Sequence, residues 1–224
     1  MPKLLAFDTS TGTLSVAVQN GSQVRTHEAP GGALASTTLI PLILRLLGEA
    51  GLPLAQLDAI AFGRGPGAFS GLRTACAVAQ GLGFGAGVPV LPVDSLHALA
   101  EEAHHRFGVQ RVVSLLDARM DQVYAASYAF DGSAADATPQ LLAPEQVQVP
   151  PGWVLAGNAF AAYGERLPPA AARHEALPGA AAMLRLAPAL LAAGAAVAAQ
   201  DAMPLYVRDK VAQTTAERAA AKSL

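Results

Sequence analysis

One cysteine, Cys76, stands among 224 residues. A single thiol makes neither an intrachain disulfide nor a thiolate metal cluster, so a packed core must hold the fold. Histidine is sparse as well. The five present, His27, His97, His104, His105 and His174, include no pair four residues apart, the spacing that sets two imidazoles on one helix face for a metal. His104 and His105 are neighbours, so on a helix they point to different sides and are expected to face solvent. Charged residues are only 14% of the chain, with 15 Lys and Arg against 17 Asp and Glu and no basic run. A protein gripping RNA mainly through phosphates needs a concentrated basic face. Any nucleic-acid contact is therefore expected to run through another subunit.

What is abundant is apolar surface. Hydrophobic residues make up 52% of the chain and the mean hydropathy is +0.34. That is enough to offset the ordering entropy of one large domain or two small ones, which excludes disorder. The opening MPKLLAFDTS has too short an apolar run before Asp8 for a signal peptide. The stretch Leu177 to Gln200 is long and apolar, but it is mostly Ala and Gly and holds Arg185 and Pro188. It is a poor membrane span, so a cytoplasmic protein without membrane contact is expected.

Apolar runs and turn signals give a strand at Leu4–Phe7 ending at Asp8, a polar turn, and an alternating strand from Leu14 to Val18. Asn20-Gly21 then turns the chain into a third strand near Gln23–His27. Residues 35–50 read as a helix capped by Ser36 or Thr37, with Pro41 in its first turn. A buried strand at Ala59–Phe62, a helix from about Ser70 to Gly85, a strand at Val88–Val93 and a helix from Ser95 to about Arg106 close the first half. The second half opens on the same plan: Val112–Leu116, then Asp117, a short turn, Val123–Phe130 and Asp131-Gly132. A strand at Trp153–Ala156, a helix after Asn158 and an Ala-rich helix beyond Pro178 follow. Two similar α/β lobes, residues 1–106 and 107–224, with a cleft between them are the economical arrangement.

The most informative segment is GRGPGAFSGLR, from Gly63 to Arg73. It joins a buried strand to a helix, where backbone amides can face an anion, with Ser70 placed to cap. Gly65 and Gly67 flank Pro66 and point to backbone angles that only glycine adopts cheaply. A P-loop fails for want of Gly-Lys-Ser/Thr, and a nucleophile elbow fails because glycines do not frame Ser70. A dinucleotide fingerprint fits as Gly63, Gly65 and Ala68 with Asp94 beyond, but Pro66 and the preceding three-strand unit oppose it. A structural strand-to-helix turn is the plain alternative.

Taken together, LLAFDTSTGTLSVAV, GRGPGAFSGLRTACAVAQGLG, VPVLPVDSLHAL, DARMDQVYAA and PLYVRDKVAQTTAER resemble the TsaB (YeaZ) family of tRNA threonylcarbamoyladenosine biosynthesis. The segments fall in family order. The resemblance implies the actin-like ATPase (ASKHA, RNase H-like) α/β fold in two similar lobes. It implies a non-catalytic subunit that pairs with a TsaD-like catalytic paralogue and works with a TsaE-like ATPase. It also implies a homodimer when alone, and tRNA reached through the complex. Nucleotide (ATP or ADP) and metal are expected in those partners, with none required here. The paralogue's His-x-x-x-His is missing, since the matching region reads GGALASTT from Gly31 to Thr38. Rival expectations from the same superfamily are a metallopeptidase or a small-molecule kinase. A kinase needs an Asp-x-Gly phosphate hairpin, and Thr9-Ser10-Thr11 follows Asp8 instead.

Cleft or anion contacts are expected from Asp8, Thr9, Ser10, Arg64, Gly65, Gly67, Ser70, Arg73 and Asp117. The helix at 39–47 is apolar nearly all round, which fits either burial inside a lobe or a contact surface. The resemblance favours a contact, centred on Leu39, Leu42, Ile43, Leu46, Leu72, Ala75, Ala79 and Leu82.

Overall fold

Strand β1 (Lys3–Asp8) is apolar at every position from Leu4 to Phe7, and both of its faces are covered. Leu5 and Phe7 point into one core with Val16, Val18, Ile60 and Phe62. Leu4 and Ala6 point into another with Ala17, Ala61 and Leu91. A central strand of a sheet buried on two sides reads as a continuous apolar run for this reason. A computed structural model describes residues 2–208 of the chain; the signature residues from Asp209 onward lie outside the described residues.

The first sheet pairs β1 with β2 (Thr13–Asn20), which turns at Asn20-Gly21 into β3 (Gln23–Pro30), and with β4 (Ala59–Gly65), which is flanked by β5 (Val90–Asp94). Its order is β3-β2-β1-β4-β5, with β2 antiparallel to β1 and β4 parallel. The second sheet holds β6 (Arg111–Arg119), β7 (Gln122–Ala129), β8 (Gln140–Leu142), β9 (Val154–Gly157) and β10 (Arg173–Glu175). Read from the other edge its order is β8-β7-β6-β9-β10, the same plan of antiparallel and parallel pairs. This duplicated order is the two-lobed actin-like ATPase fold. The two short strands β8 and β10 had no apolar run to announce them.

Helices α1 (Ala35–Glu49) and α2 (Phe69–Ala86) lie side by side on one face of the first sheet, over β2 and β4. Helix α3 (Ser95–Phe107) sits between the lobes: Leu96, Leu99, Ala100 and Ala103 pack on Val112, Leu116, Tyr124 and Tyr128 of the second sheet. The short α4 (Phe160–Tyr163) follows β9. Helix α5 (Ala180–Ala192) then returns to cover the other face of the first sheet. The sheets therefore divide between α3 and β6, yet the second half of the sequence supplies part of the first lobe's core. Arg185, which interrupts the apolar stretch there, crosses to α3 and meets Glu101 at 2.9 Å and Glu102 at 2.8 Å.

Helix starts depart from expectation. A 3-10 turn at Gly32–Leu34 leads into α1, Leu34 is the N-cap, and neither Ser36 nor Thr37 caps. Thr37 instead donates its hydroxyl to the Leu34 carbonyl at 3.0 Å. Pro41 falls inside the helix beyond its first turn, on the exposed side, where water can serve the carbonyl it leaves unbonded. Ala68, not Ser70, caps α2. His104 does not face solvent: it stacks on Phe130 at 4.3 Å, and one ring nitrogen meets the Val109 carbonyl at 2.7 Å.

The expected contact residues are corrected by this packing. Leu39, Leu42, Ile43 and Leu46 of α1 and Leu72, Ala75 and Ala79 of α2 are buried in the first lobe, and Leu82 is half-buried against the same core. Residues 32–49 form a helical stretch long and apolar enough to cross a bilayer, but its apolar side serves that core.

Candidate functional site

The two lobes face each other through two hairpins, one from each sheet. In the first, β1 ends at Asp8, whose carboxylate has no solvent exposure. Its Oδ1 accepts from the Ser10 amide at 2.7 Å and the Ser10 hydroxyl at 2.6 Å, while Oδ2 accepts from the Ser95 hydroxyl at 3.0 Å. Burial pushes the Asp8 pKa up, and the bonds from Ser10 and Ser95 oppose this only in part. Asp8 thus ties the end of β1 to the start of α3. Its two oxygens accept three hydrogen bonds from within the fold, and Asp8 does not line the cleft as expected. Thr9 is likewise buried and donates its hydroxyl to the Gly71 carbonyl at 2.7 Å.

The glycines of the segment after β4 make this docking possible. A Cβ on Gly63 would overlap Asp8 Oδ2, and one on Gly71 would overlap the Thr9 carbonyl oxygen. A Cβ on Gly67 would come within 2.5 Å of the Ser10 carbonyl oxygen, which already accepts from the Ala68 amide at 2.7 Å. The loop therefore seats the Thr9-Ser10-Thr11 turn where an anion cradle was one reading of the sequence. Gly65 has φ of +117°, the left-handed range expected of it, and its Cα faces the Leu205 carbonyl oxygen.

A folded carboxyl with a raised pKa weakens the fold when it ionises. Stability contributed through Asp8 is largest below its unfolded pKa and falls as pH rises through the higher folded value. Asp8→Asn should flatten this component. Urea unfolding from pH 4 to pH 8 checks it, and a wild type that gained stability with pH through this group would oppose it.

From the second lobe, Asp117 ends the apolar run of β6 and orders its own hairpin. Its backbone N–H donates to Asn158 Oδ1 at 2.8 Å, and its Oδ1 accepts from Tyr163 Oη and the Arg119 amide, each at 2.8 Å. The Tyr163 hydroxyl is pushed up to about 12, by burial and by the Asp117 carboxylate beside it. Arg119, Met120 and Asp121 follow in succession with φ of 60°, 54° and 56°. Three non-glycine residues in the left-handed region cost about 1 kcal/mol or more each. External bonds hold them there. Arg208 donates to the carbonyls of Ala118 at 2.9 Å and Arg119 at 3.3 Å, and Arg166 pairs with Asp121 at 2.7 Å.

Between the hairpins lies a cavity of about 440 Å³, lined among others by Ser10, Gly67, Asp117, Arg119, Asn158 and Arg208. Of the expected cleft residues, Ser10, Gly67 and Asp117 line it. Arg64 does not. It pairs with Asp94 and faces a separate groove with His97 at the edge of the first sheet. Ser70 and Arg73 lie on the exposed side of α2, where Arg73 covers the Phe69 ring at 3.9 Å and donates to Tyr206 Oη at 3.2 Å. Arg208, Tyr163 and Asn158 were missed: Tyr163 and Asn158 stand in no motif, and the PLYVR segment that holds Arg208 marked a family and not a site.

This arrangement can be set beside known proteins. The chain is 34% identical to the tRNA threonylcarbamoyladenosine biosynthesis protein TsaB of Escherichia coli, over 94% of this chain and 96% of that one. The chain belongs to the TsaB family. The TsaB of Haemophilus influenzae is also 34% identical, with 93% of this chain and 94% of that one covered. The solved structure of YeaZ from Pseudomonas aeruginosa is 41% identical and superposes with a TM-score of 0.86, covering 92% of this chain and all of that one. Residues 17–216 match the family model described as TsaD, tRNA N6-adenosine threonylcarbamoyltransferase. Within this TsaB-family chain, the first hairpin is anchored by a buried Asp8 that accepts three hydrogen bonds.

Proposed function

We propose that this chain is the non-catalytic partner subunit in tRNA threonylcarbamoyladenosine synthesis, a soluble cytoplasmic protein that pairs with a TsaD-type paralogue. The observation that carries the reading is the end-to-end match to proteins named for that pathway. The geometry at Asp8 supports the non-catalytic part, because a fully buried carboxylate held by Ser10 and Ser95 is poorly placed to meet a substrate for proton transfer. Nucleotide and metal chemistry then belong to the TsaD-type subunit and a TsaE-type ATPase, which also bring the tRNA.

Pairing uses the outer side of α1 and α2, not the residues that face inward. There Ile40, Leu44 and Phe84 are exposed, Phe84 by 81%. On α2, Ala77, Gly81 and Gly85 are exposed as well as Phe84, and a Cβ built on either glycine meets nothing within 4 Å. Small residues in open space allow a partner helix to approach closely, and the large ones supply apolar area. The same side serves self-association when the paralogue is absent.

Reconstitution tests the reading. A TsaD-type enzyme and a TsaE-type ATPase, supplied with threonylcarbamoyl-adenylate, ATP and tRNA, should modify the tRNA only when this chain is added. The chain alone should give none. Equal yield without it would refute the assignment.

A further inference from the structure

The segment Ala202–Arg208 has no regular secondary structure and passes from one lobe to the other. It begins in the first lobe, where Ala202 belongs to the core beneath α1 and α2 and its carbonyl accepts from Gln80 Nε2 at 2.9 Å. The Leu205 amide donates to the Arg64 carbonyl at 2.6 Å, and the Tyr206 ring rests on Phe69 at 5.3 Å. It ends in the second lobe. Val207 packs against the core of the second sheet, and Arg208 bonds the carbonyls of Ala118 and Arg119 and Gln122 Oε1, the last at 2.9 Å. Seven residues of extended chain reach at most about 25 Å, so this tether is short.

Two features make the tether more than a connection. Arg208 lines the cavity between the lobes, so its position reports and limits their separation. It also holds the turn in which three successive non-glycine residues are left-handed. Such a turn persists only while its surroundings impose it. We propose that Ala202–Arg208 is a latch between the lobes: seated, it holds the cleft width and keeps the Arg119–Asp121 turn left-handed, and unseated, it frees both. The proposal rests on geometry alone and does not depend on the pairing reading above.

Backbone hydrogen exchange of the full chain tests it with two variants. Arg208→Ala removes the bonds at the second-lobe end. Tyr206→Ala acts at the other end, where its ring and hydroxyl are held by Phe69 and Arg73. Both should speed exchange at Ala118–Gln122 by about tenfold or more and raise the radius of gyration in small-angle scattering, with circular dichroism unchanged. A merely local role for Arg208 would let Arg208→Ala loosen the turn while Tyr206→Ala left it untouched. That result overturns the latch, as does unchanged exchange in both variants. If Arg208→Ala fails to fold, the Tyr206→Ala result alone decides.

Discussion

Leu46→Glu unfolds the first lobe. Leu46 is 3% exposed and belongs to the core that α1 shares with the first sheet. Removing a buried leucine side chain costs about 2–5 kcal/mol. Placing an unpaired carboxylate there costs several kcal/mol more, unless the group takes up a proton at a penalty of its own. The sum reaches the whole stability of an ordinary domain, about 5–15 kcal/mol. Circular dichroism at 25 °C should show lost helix and a lost cooperative transition. The nearby Leu44→Glu replaces a side chain that is 55% exposed, and at a concentration low enough to keep the chain monomeric it should leave the melt within about 0.5 kcal/mol of wild type. A folded Leu46→Glu variant would contradict the packing.

The second large effect is expected in α2, from two glycines of opposite character. Gly71→Ala drives a Cβ into the Thr9 carbonyl oxygen, and backbone cannot swing aside as a side chain can. It should destabilise the protein by about 3 kcal/mol, the upper end for overpacking, and free the Thr9-Ser10 turn from the helix. Gly81→Ala, ten positions along the same helix, meets nothing within 4 Å and, measured on the monomeric chain, should stabilise by about 1 kcal/mol through helix propensity. Urea melts of the two variants against wild type provide the measurement. A Gly71→Ala variant as stable as wild type would show that the close approach at Gly71 is not a constraint.

Much of this fold was legible along the chain. The apolar runs ending at Asp8 and Asp117 place β1 and β6, and their repetition anticipates two sheets of one order. Short strands such as β10, with Arg173 and Glu175 exposed, carry no such pattern, since an edge strand buries little. The near-continuous apolar surface of α1 fitted two readings, because composition cannot say which neighbour covers a leucine. The glycine segment was marked by its sequence, but its purpose was not. Gly63 and Gly71 are set by contacts with Asp8 and Thr9, 55 and 62 positions away in sequence. Spacing within one loop cannot disclose a partner that distant. Arg208 escaped for the same reason, since its acceptors lie 86 to 90 positions away.

The central claim, that the outer side of α1 and α2 is the association surface, is tested most directly by light scattering on size-exclusion fractions. The chain, alone and mixed with a TsaD-type paralogue, is compared with a Leu44→Glu/Phe84→Glu variant. Wild type should run as a dimer alone and as a heteromeric complex in the mixture. The variant should run as a folded monomer in both, because charge on an apolar contact costs several kcal/mol of association. A variant that stays folded and still forms both species would contradict the claim.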